Sequence, residues 1–220
     1  MKIISLSYFL DENTPLYGNN GVVDIKQISK IALGKTSNNS QISTLLHAGT
    51  HIDFPYHFYD DGQTLKDFSP DFWFFTNPYF LEIKPKSFII KDEVIEKLLN
   101  TDRKNCDALI IKTGSGDFRD SDKYIYENYG LDPSIADIIR DKLPNVRVIV
   151  LDTISISSYT NRQIGREAHR KFLNPKKPIL IIEDANLSEL NTQNINKLIV
   201  APLNIANTDG APCSIYAELE

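Results

Sequence analysis

Three of the four histidines in this 220-residue chain lie within one segment of eleven residues, His47 to His57. The same segment contains His51 and Asp53, so it combines three imidazoles with a carboxylate. These side chains are the usual protein ligands of zinc, and they also bind manganese and iron. The segment therefore predicts a metal-dependent enzyme.

The spacing of these four side chains favours an extended chain over a helix. All four occupy odd positions, whereas most even positions between them are apolar. Alternate side chains of a strand point to opposite faces, but a helix turns by about 100° per residue and would rotate Asp53 away from His47 and His51. We predict a buried strand that runs into an irregular loop, with Pro55 ending regular pairing. The alternative is a histidine-rich edge strand without a metal, which would leave several buried polar groups poorly satisfied.

Length and composition indicate one globular domain over residues 1–220, with 41% hydrophobic and 24% charged residues. The formal charge of -5 argues against nucleic acid or an anionic membrane as the main partner. Cys106 and Cys213 are far apart and fit two thiols in a reducing cytoplasm, although a disulfide between them is also compatible with the sequence. The N-terminus is typical of a first strand rather than a signal peptide. No apolar run approaches the roughly 20 residues of a membrane span.

Apolar runs and turn residues predict an α/β fold with a mixed, largely buried sheet and few helices. Runs such as 148–151 and 179–182 suit strands that are buried on both faces. Helices are predicted where apolar residues recur at helical spacing, and Asp132 and Pro133 form a good helix start. The predicted strands are Lys2–Tyr8, Gly21–Lys26, Gln41–Leu46, Tyr79–Ile83, Ala108–Lys112, Val146–Asp152, Pro178–Ile182, Lys197–Leu203 and Cys213–Leu219, and the predicted helices are Asp92–Leu99, Pro133–Leu143 and Arg162–Leu173.

The aromatic segment within residues 60–78 has no clear periodicity. Its Phe and Trp residues are compatible with an irregular part of the core, a dimer contact or a flap over a site. These three alternatives stay open at the level of sequence.

A histidine and two neighbouring carboxylates outside the first segment are further candidate metal ligands. His169 lies on the third predicted helix, and Glu183 and Asp184 close a predicted strand. A strand end and a neighbouring helix can meet at one edge of an α/β sheet. Taken alone, His169 is typical of a surface helix residue, and the sequence does not distinguish Glu183 from Asp184 as a ligand.

The complete motif H-x-G-T-H-x-D-x-P-x-H from His47 to His57 resembles the cyclase family of metal-dependent hydrolases, which includes bacterial kynurenine formamidases and isatin hydrolases. The resemblance covers nearly the whole chain and implies a swivelling β/β/α fold. The supporting fragments, in family order, are Ile4–Ser7, Lys112–Gly114, Leu151–Ser155, Ala168–Leu173, Ile182–Leu187, Ala201–Leu203 and Asp209–Pro212.

The resemblance also implies roles for individual residues. His47, His51 and Asp53 would bind a first metal, Asp53 and Glu183 would bridge to a second, His169 would complete the second site, and His57 would transfer protons. The cofactor would be one or two divalent ions, zinc or manganese. The reaction would be hydrolysis of an amide, lactam or ester bond in a small molecule such as an aryl-formamide. A cyclase or dehydratase on the same scaffold, or a binding protein without catalysis, are the alternatives. A homodimer or larger homo-oligomer is also implied.

Two segments depart from the family pattern: Gly114–Gly116, where a bulkier residue is expected after the strand, and a loop near the N-terminus. Formamidases of the family carry a P-x-W-P-G-D loop near the N-terminus, whose aromatic residue contacts substrate. The matching stretch here, Pro15–Asn19, has Tyr17 in the aromatic position and lacks the second Pro and the Asp. Tyr17 is therefore the expected substrate contact, in a pocket that differs from that of the formamidases.

Overall fold

A mixed nine-stranded sheet organises the computed structural model, which describes residues 2–191 and 195–220. Four α-helices and several single 3₁₀ turns connect its strands. The strands are β1 (Lys2–Ser5), β2 (Asp24–Ser29), β3 (Asn39–Ser43), β4 (His51–Asp53), β5 (Phe74–Phe75), β6 (Pro78–Glu82), β7 (Ile89–Ile90), β8 (Ala108–Lys112), β9 (Gly130–Leu131), β10 (Val148–Leu151), β11 (Leu180–Glu183), β12 (Ile195–Pro202) and β13 (Gly210–Leu219). The helices are α1 (Asp92–Leu99), α2 (Asp122–Tyr126), α3 (Ser134–Lys142) and α4 (Arg162–Phe172).

The parallel half of the sheet has the order β6-β8-β10-β11. Helices α1, α3 and α4 lie on the connections between these strands, as parallel pairing requires a crossover. Every residue of β10 is fully buried, which explains why its sequence is a continuous apolar run instead of an alternating one. The carboxyl ends of β10 and β11 lie side by side at one edge of the sheet, where sites in open α/β sheets usually form.

The antiparallel half begins at β4, which lies between β11 and β13. The long strand β13 also pairs with β1 and β12, and β12 pairs with β5. The prediction of a mixed sheet is therefore confirmed, and β4 stands where the parallel and antiparallel halves meet.

Two strands stand outside this sheet as a separate ribbon. β2 and β3 pair with each other in antiparallel register and with no other described strand. Ile28 and Ile42 on the ribbon are 59% and 52% exposed, and Leu33 in the connecting turn is 74% exposed. The predicted strands of this region were displaced by a few residues, because an exposed ribbon lacks the burial pattern that fixes strand boundaries.

Most sequence-predicted elements agree with the structure to within two or three residues. α1 and β8 match their predicted ranges, and the side chain of Asp132 accepts the N–H of Ser134 at the start of α3. The prediction missed α2 and the two-residue strands, which are too short to show periodicity. None of the described helices has the length and apolar character that a membrane crossing requires.

The aromatic segment is mainly a part of the core. Phe75 is 1% exposed, and Phe68, Phe72 and Trp73 pack on the main apolar cluster with rings in mutual contact. Phe74 is the exposed member, at 56%. The flap alternative is not supported, because most of these rings pack against the main apolar cluster.

Candidate metal centre

The histidine segment reaches the site through a short strand flanked by two turns. Only His51–Asp53 form a strand, and Ile52 between them points into the core and is fully buried. Gly49 has a φ of 66°, a left-handed conformation that favours glycine, and Pro55–His57 form a 3₁₀ turn. The single extended face predicted from His47 to His57 is therefore wrong in detail. Alternation orients His51 and Asp53, whereas turns bring in the two outer histidines.

Glu183 lies opposite His51 across the β4–β11 pair. Its Oε1 atom accepts the backbone N–H of Ile156 at 2.6 Å and the hydroxyl of Ser155 at 3.2 Å. Both donors belong to the turn that follows β10, so the neighbouring parallel strand fixes this carboxylate.

The next residue, Asp184, points away from the cavity. Its φ of 49° is left-handed, which turns its side chain to the other side of the chain. There Arg119 donates Nε–H and Nη2–H to its two oxygens at 2.8 and 2.6 Å, and Tyr124 donates its hydroxyl at 2.6 Å. The sequence left open whether Glu183 or Asp184 is the ligand. The backbone conformation of Asp184 and its hydrogen bonds decide in favour of Glu183.

His169 lies on the buried face of α4 and is 6% exposed. The helix approaches the turn after β10 closely at Gly165, where an added Cβ would lie 1.7 Å from the Ser157 hydroxyl oxygen. The carbonyl of Gly165 accepts the Nδ1–H of His169 at 2.8 Å, which leaves Nε2 facing the carboxylates. The surface position typical of an isolated helix histidine is therefore wrong for this residue.

The four buried donors are spaced like the ligands of a cation. The Nε2 atom of His51 lies 3.5 Å from Asp53 Oδ1 and 3.4 Å from Glu183 Oε2, and His169 Nε2 lies 3.6 Å from the other oxygen of each carboxylate. These distances are long for hydrogen bonds. They approach the ligand–ligand separation of about 3.4 Å expected for tetrahedral coordination at about 2.1 Å.

An unsatisfied atom supports the same interpretation. Asp53 Oδ2 is buried and has no hydrogen-bond partner among the residues that the structure describes. A buried carboxylate oxygen without a donor is costly, and a cation between the carboxylates and imidazoles would satisfy it. The donor set of imidazole and carboxylate therefore fits a divalent metal, and the carbonyl of Gly49, which accepts His51 Nδ1–H at 2.8 Å, orients a ligand in the way common at metal sites.

Asp209 is the site residue that sequence reasoning missed. Its Oδ2 atom accepts Nε2–H of His47 at 2.8 Å and Nδ1–H of His57 at 3.0 Å. The second ring nitrogen of His47 lies 2.8 Å from Asp53 Oδ1. The only sequence signal was its place just before the final strand, in a fragment that resembled the family.

Strong electrostatic coupling follows from this packing. Burial opposes protonation of His47, but the charge of Asp53 and hydrogen bonds to Asp209 and Asp53 outweigh it and raise its pKa to about 10. Burial likewise opposes ionisation of Asp53, yet the imidazoles of His47, His57 and His51 hold its pKa well below the usual range. Because metal ligands must be deprotonated and the pKa of His47 is raised, metal binding at this site would release protons.

One cavity of about 360 Å³ contains all seven residues predicted from the sequence. This size is within the range of small-molecule sites. Tyr17 lies at its wall, where its hydroxyl donates to Ser157 Oγ at 3.4 Å. The cavity-lining predicted residues are Tyr17, His47, His51, Asp53, His57, His169 and Glu183.

Comparison with known proteins agrees with this arrangement. A kynurenine formamidase of Geobacillus thermodenitrificans is 26% identical over 215 residues, which cover 95% of this chain and 93% of that protein. Cyclase-like protein 2 of Oryza sativa subsp. japonica is 25% identical over 223 residues, covering 96% of this chain and 77% of that protein. Isatin hydrolase A from Labrenzia aggregata, at 19% identity, has the same fold, with a TM-score of 0.81 over 98% of this chain and 93% of that chain.

The family model named Cyclase matches residues 4–158, which include the histidine segment and the turn after β10. The resemblance inferred from the motif is thereby confirmed. By this match over more than half of its length, the chain belongs to the cyclase family.

Proposed function

We propose that this chain is a metal-dependent hydrolase of a small molecule, cleaving a carbon–nitrogen bond of an amide or lactam, or an ester bond. The observation that carries the proposal is that the Nε2 atoms of His51 and His169 both lie close to the buried carboxylates of Asp53 and Glu183. Among the described residues, Oδ2 of Asp53 has no hydrogen-bond partner. The relatives named kynurenine formamidase and isatin hydrolase support the reaction class.

Asp53, Glu183, His51 and His169 would hold the metal, zinc or manganese, as one ion or two. His47 would join them after losing the proton that it shares with Asp53. When bound, a divalent cation supplies Lewis acidity and a water of lowered pKa.

His57 is the proposed proton carrier of the reaction. The carboxylate of Asp209 can only accept, so Nδ1 of His57 carries a hydrogen and Nε2 of the neutral ring is available as a base. In hydrolysis, hydroxide adds to the carbonyl carbon, the carbon–nitrogen bond breaks, and the proton taken from water by His57 goes to the leaving nitrogen. Asp209 orients the ring for both transfers.

Metal content and turnover of matched variants test this proposal. Elemental mass spectrometry of protein purified without chelator or nickel should find one or two equivalents of zinc or manganese in the wild type and a loss in His51→Ala. His57→Ala should retain the metal and lose at least about 100-fold in turnover of formyl-amides, lactams or esters. A wild type that takes up neither metal would overturn the proposal, and product masses without the addition of one water would point to cyclisation or dehydration instead.

We also propose that two copies associate through the β2–β3 ribbon. Its exposed isoleucines support this, because a contiguous exposed apolar surface of a monomer commonly marks an interface. Ile28→Lys should shift the sedimentation of a dimer to that of a monomer, whereas Ile3→Lys, at an isoleucine 60% exposed outside the ribbon, should not. A wild type that sediments as a monomer at micromolar concentration would refute the association.

The cytoplasm is the proposed location. The free and buried thiols of Cys106 and Cys213 support a reducing compartment. Localisation of a fluorescent fusion in the source cell tests this.

A further inference from the structure

Two arginines on α4 add positive charge to the cavity. Arg162 and Arg166 both line the cavity and project from the same face of α4, one helical turn apart. In the described part of the chain, no carboxylate lies within salt-bridge distance of either guanidinium. By contrast, Arg119, Arg140 and Arg147 each form a salt bridge with an aspartate.

The guanidinium of Arg162 is held in place by aromatic rings. It lies 4.0 Å from the ring centre of Tyr159 and 5.9 Å from that of Tyr17, and these two rings contact each other edge to face. Stacking uses the face of a guanidinium and leaves the N–H groups at its edge free to donate. Arg162 is therefore a preorganised donor at the cavity wall.

Charge balance within the cavity points to an anionic ligand. One divalent cation would neutralise Asp53 and Glu183. The carboxylate of Asp209 accepts hydrogen bonds from His47 and His57. The two guanidinium groups would then remain as uncompensated positive charge beside an apolar wall that includes Phe58. Fork-shaped N–H groups match the geometry of a carboxylate.

We infer that the substrate carries a carboxylate, which Arg162 and Arg166 bind while the scissile carbonyl lies at the proposed metal centre. This rests on the proposed hydrolase function. Arg166 and Arg162 precede His169 by three and seven residues, so they lie roughly 4.5 and 10.5 Å from it along the helix axis at 1.5 Å per residue. A spacer of about one aromatic ring between carboxylate and scissile bond fits this separation.

Matched substrates that differ only in charge test the inference. Metal-loaded wild type would be assayed with formanilide against 4-formamidobenzoate, and with phenyl acetate against 4-acetoxybenzoate. We expect kcat/KM to favour the anionic member by about tenfold or more, chiefly through KM. The double variant Arg162→Gln/Arg166→Gln should lose this preference, so that the ratio of kcat/KM for the anionic over the neutral member falls to about one. The control Arg103→Gln removes the same charge at a different cavity and should keep the preference.

A binding measurement separates this inference from the proposed function. Calorimetric titration with 4-aminobenzoate, compared with aniline, measures anion binding without turnover. If wild type hydrolyses neither pair yet binds 4-aminobenzoate at least tenfold more tightly than the double variant, the arginine inference stands and the hydrolase proposal fails. If wild type hydrolyses both members of a pair equally and binds 4-aminobenzoate no better than the variant, the arginine inference is overturned and the hydrolase proposal stands.

Discussion

Replacing Arg119 with Met should lower the free energy of unfolding by about 3 kcal/mol. Arg119 is 12% exposed and donates two hydrogen bonds to Asp184, whose side chain is 2% exposed. Removing one partner of a buried ion pair typically costs about 3–5 kcal/mol, because the other charge stays buried and uncompensated. We expect the lower end, since Tyr124 would still donate to Asp184 at 2.6 Å.

Urea denaturation followed by fluorescence would measure this loss, with a decrease of about 6–12 °C in Tm as a second measure for a chain of this length. Arg103→Met is the matched control, because the guanidinium of Arg103 lies 5.8 Å from the ring of Tyr79, a weak contact, and its loss should change stability by less than about 1 kcal/mol. Asp184→Asn removes the charge but keeps a residue type that tolerates a left-handed backbone.

The double variant Arg119→Met/Asp184→Asn should be clearly less destabilised than the sum of the single variants, since each removes the same interaction. The reasoning would be refuted if Arg119→Met lay within about 1 kcal/mol of wild type, or if the two single effects were additive. A weaker affinity for zinc in Arg119→Met would further show that this ion pair helps to position the neighbouring Glu183.

Asp209→Asn should lower kcat by at least about 100-fold with unchanged metal content, because an amide can donate to His57 and favour the wrong tautomer; full turnover of this variant would exclude an orienting role. Neither thiol should react with Ellman's reagent at pH 8 in the folded protein, because burial raises the pKa of Cys106 to about 12 and the pKa of Cys213 still further; rapid labelling of the native state would contradict this. Since unfolded thiols ionise near pH 8.5, stability should also fall as the pH rises above that value. Chelation by EDTA should lower Tm, and the decrease should follow the logarithm of the free metal concentration, as expected for a ligand that binds the folded state; an unchanged Tm would argue against a resident metal.

Local sequence patterns were sufficient for most of the regular structure. The alternation at His51 and Asp53 around Ile52 predicted a strand with two ligands on one face, and a three-residue strand has that orientation. The continuous apolar run in β10 predicted burial on both faces, as observed. These features depend on neighbouring residues alone, which is why sequence periodicity detects them.

Sequence periodicity failed where a turn or a packed helix decides orientation. His47 and His57 reach the cavity through the left-handed turn at Gly49 and the 3₁₀ turn at Pro55, not through an extended strand. His169 looked like a surface residue, because its burial depends on the close approach of α4 at Gly165. Neither the path of these turns nor the close approach of α4 can be read from the spacing of residues along the chain.

The sequence by itself determined the chemical kind of the site: its imidazole and carboxylate donors, their family motif and the sheet that carries them. Tertiary structure alone decided which carboxylates take part. Glu183 faces the cavity, whereas the left-handed backbone of Asp184 and its hydrogen bonds to Arg119 hold the Asp184 side chain on the other side. Asp209 joins His47 and His57 from more than 150 residues away, as β13 pairs with β4 and brings its own N-terminal end beside the histidines. The same packing leaves Arg162 and Arg166 at the cavity without acidic partners in residues 2–191 and 195–220, since exposure and pairing are properties of the folded chain and not of residue type.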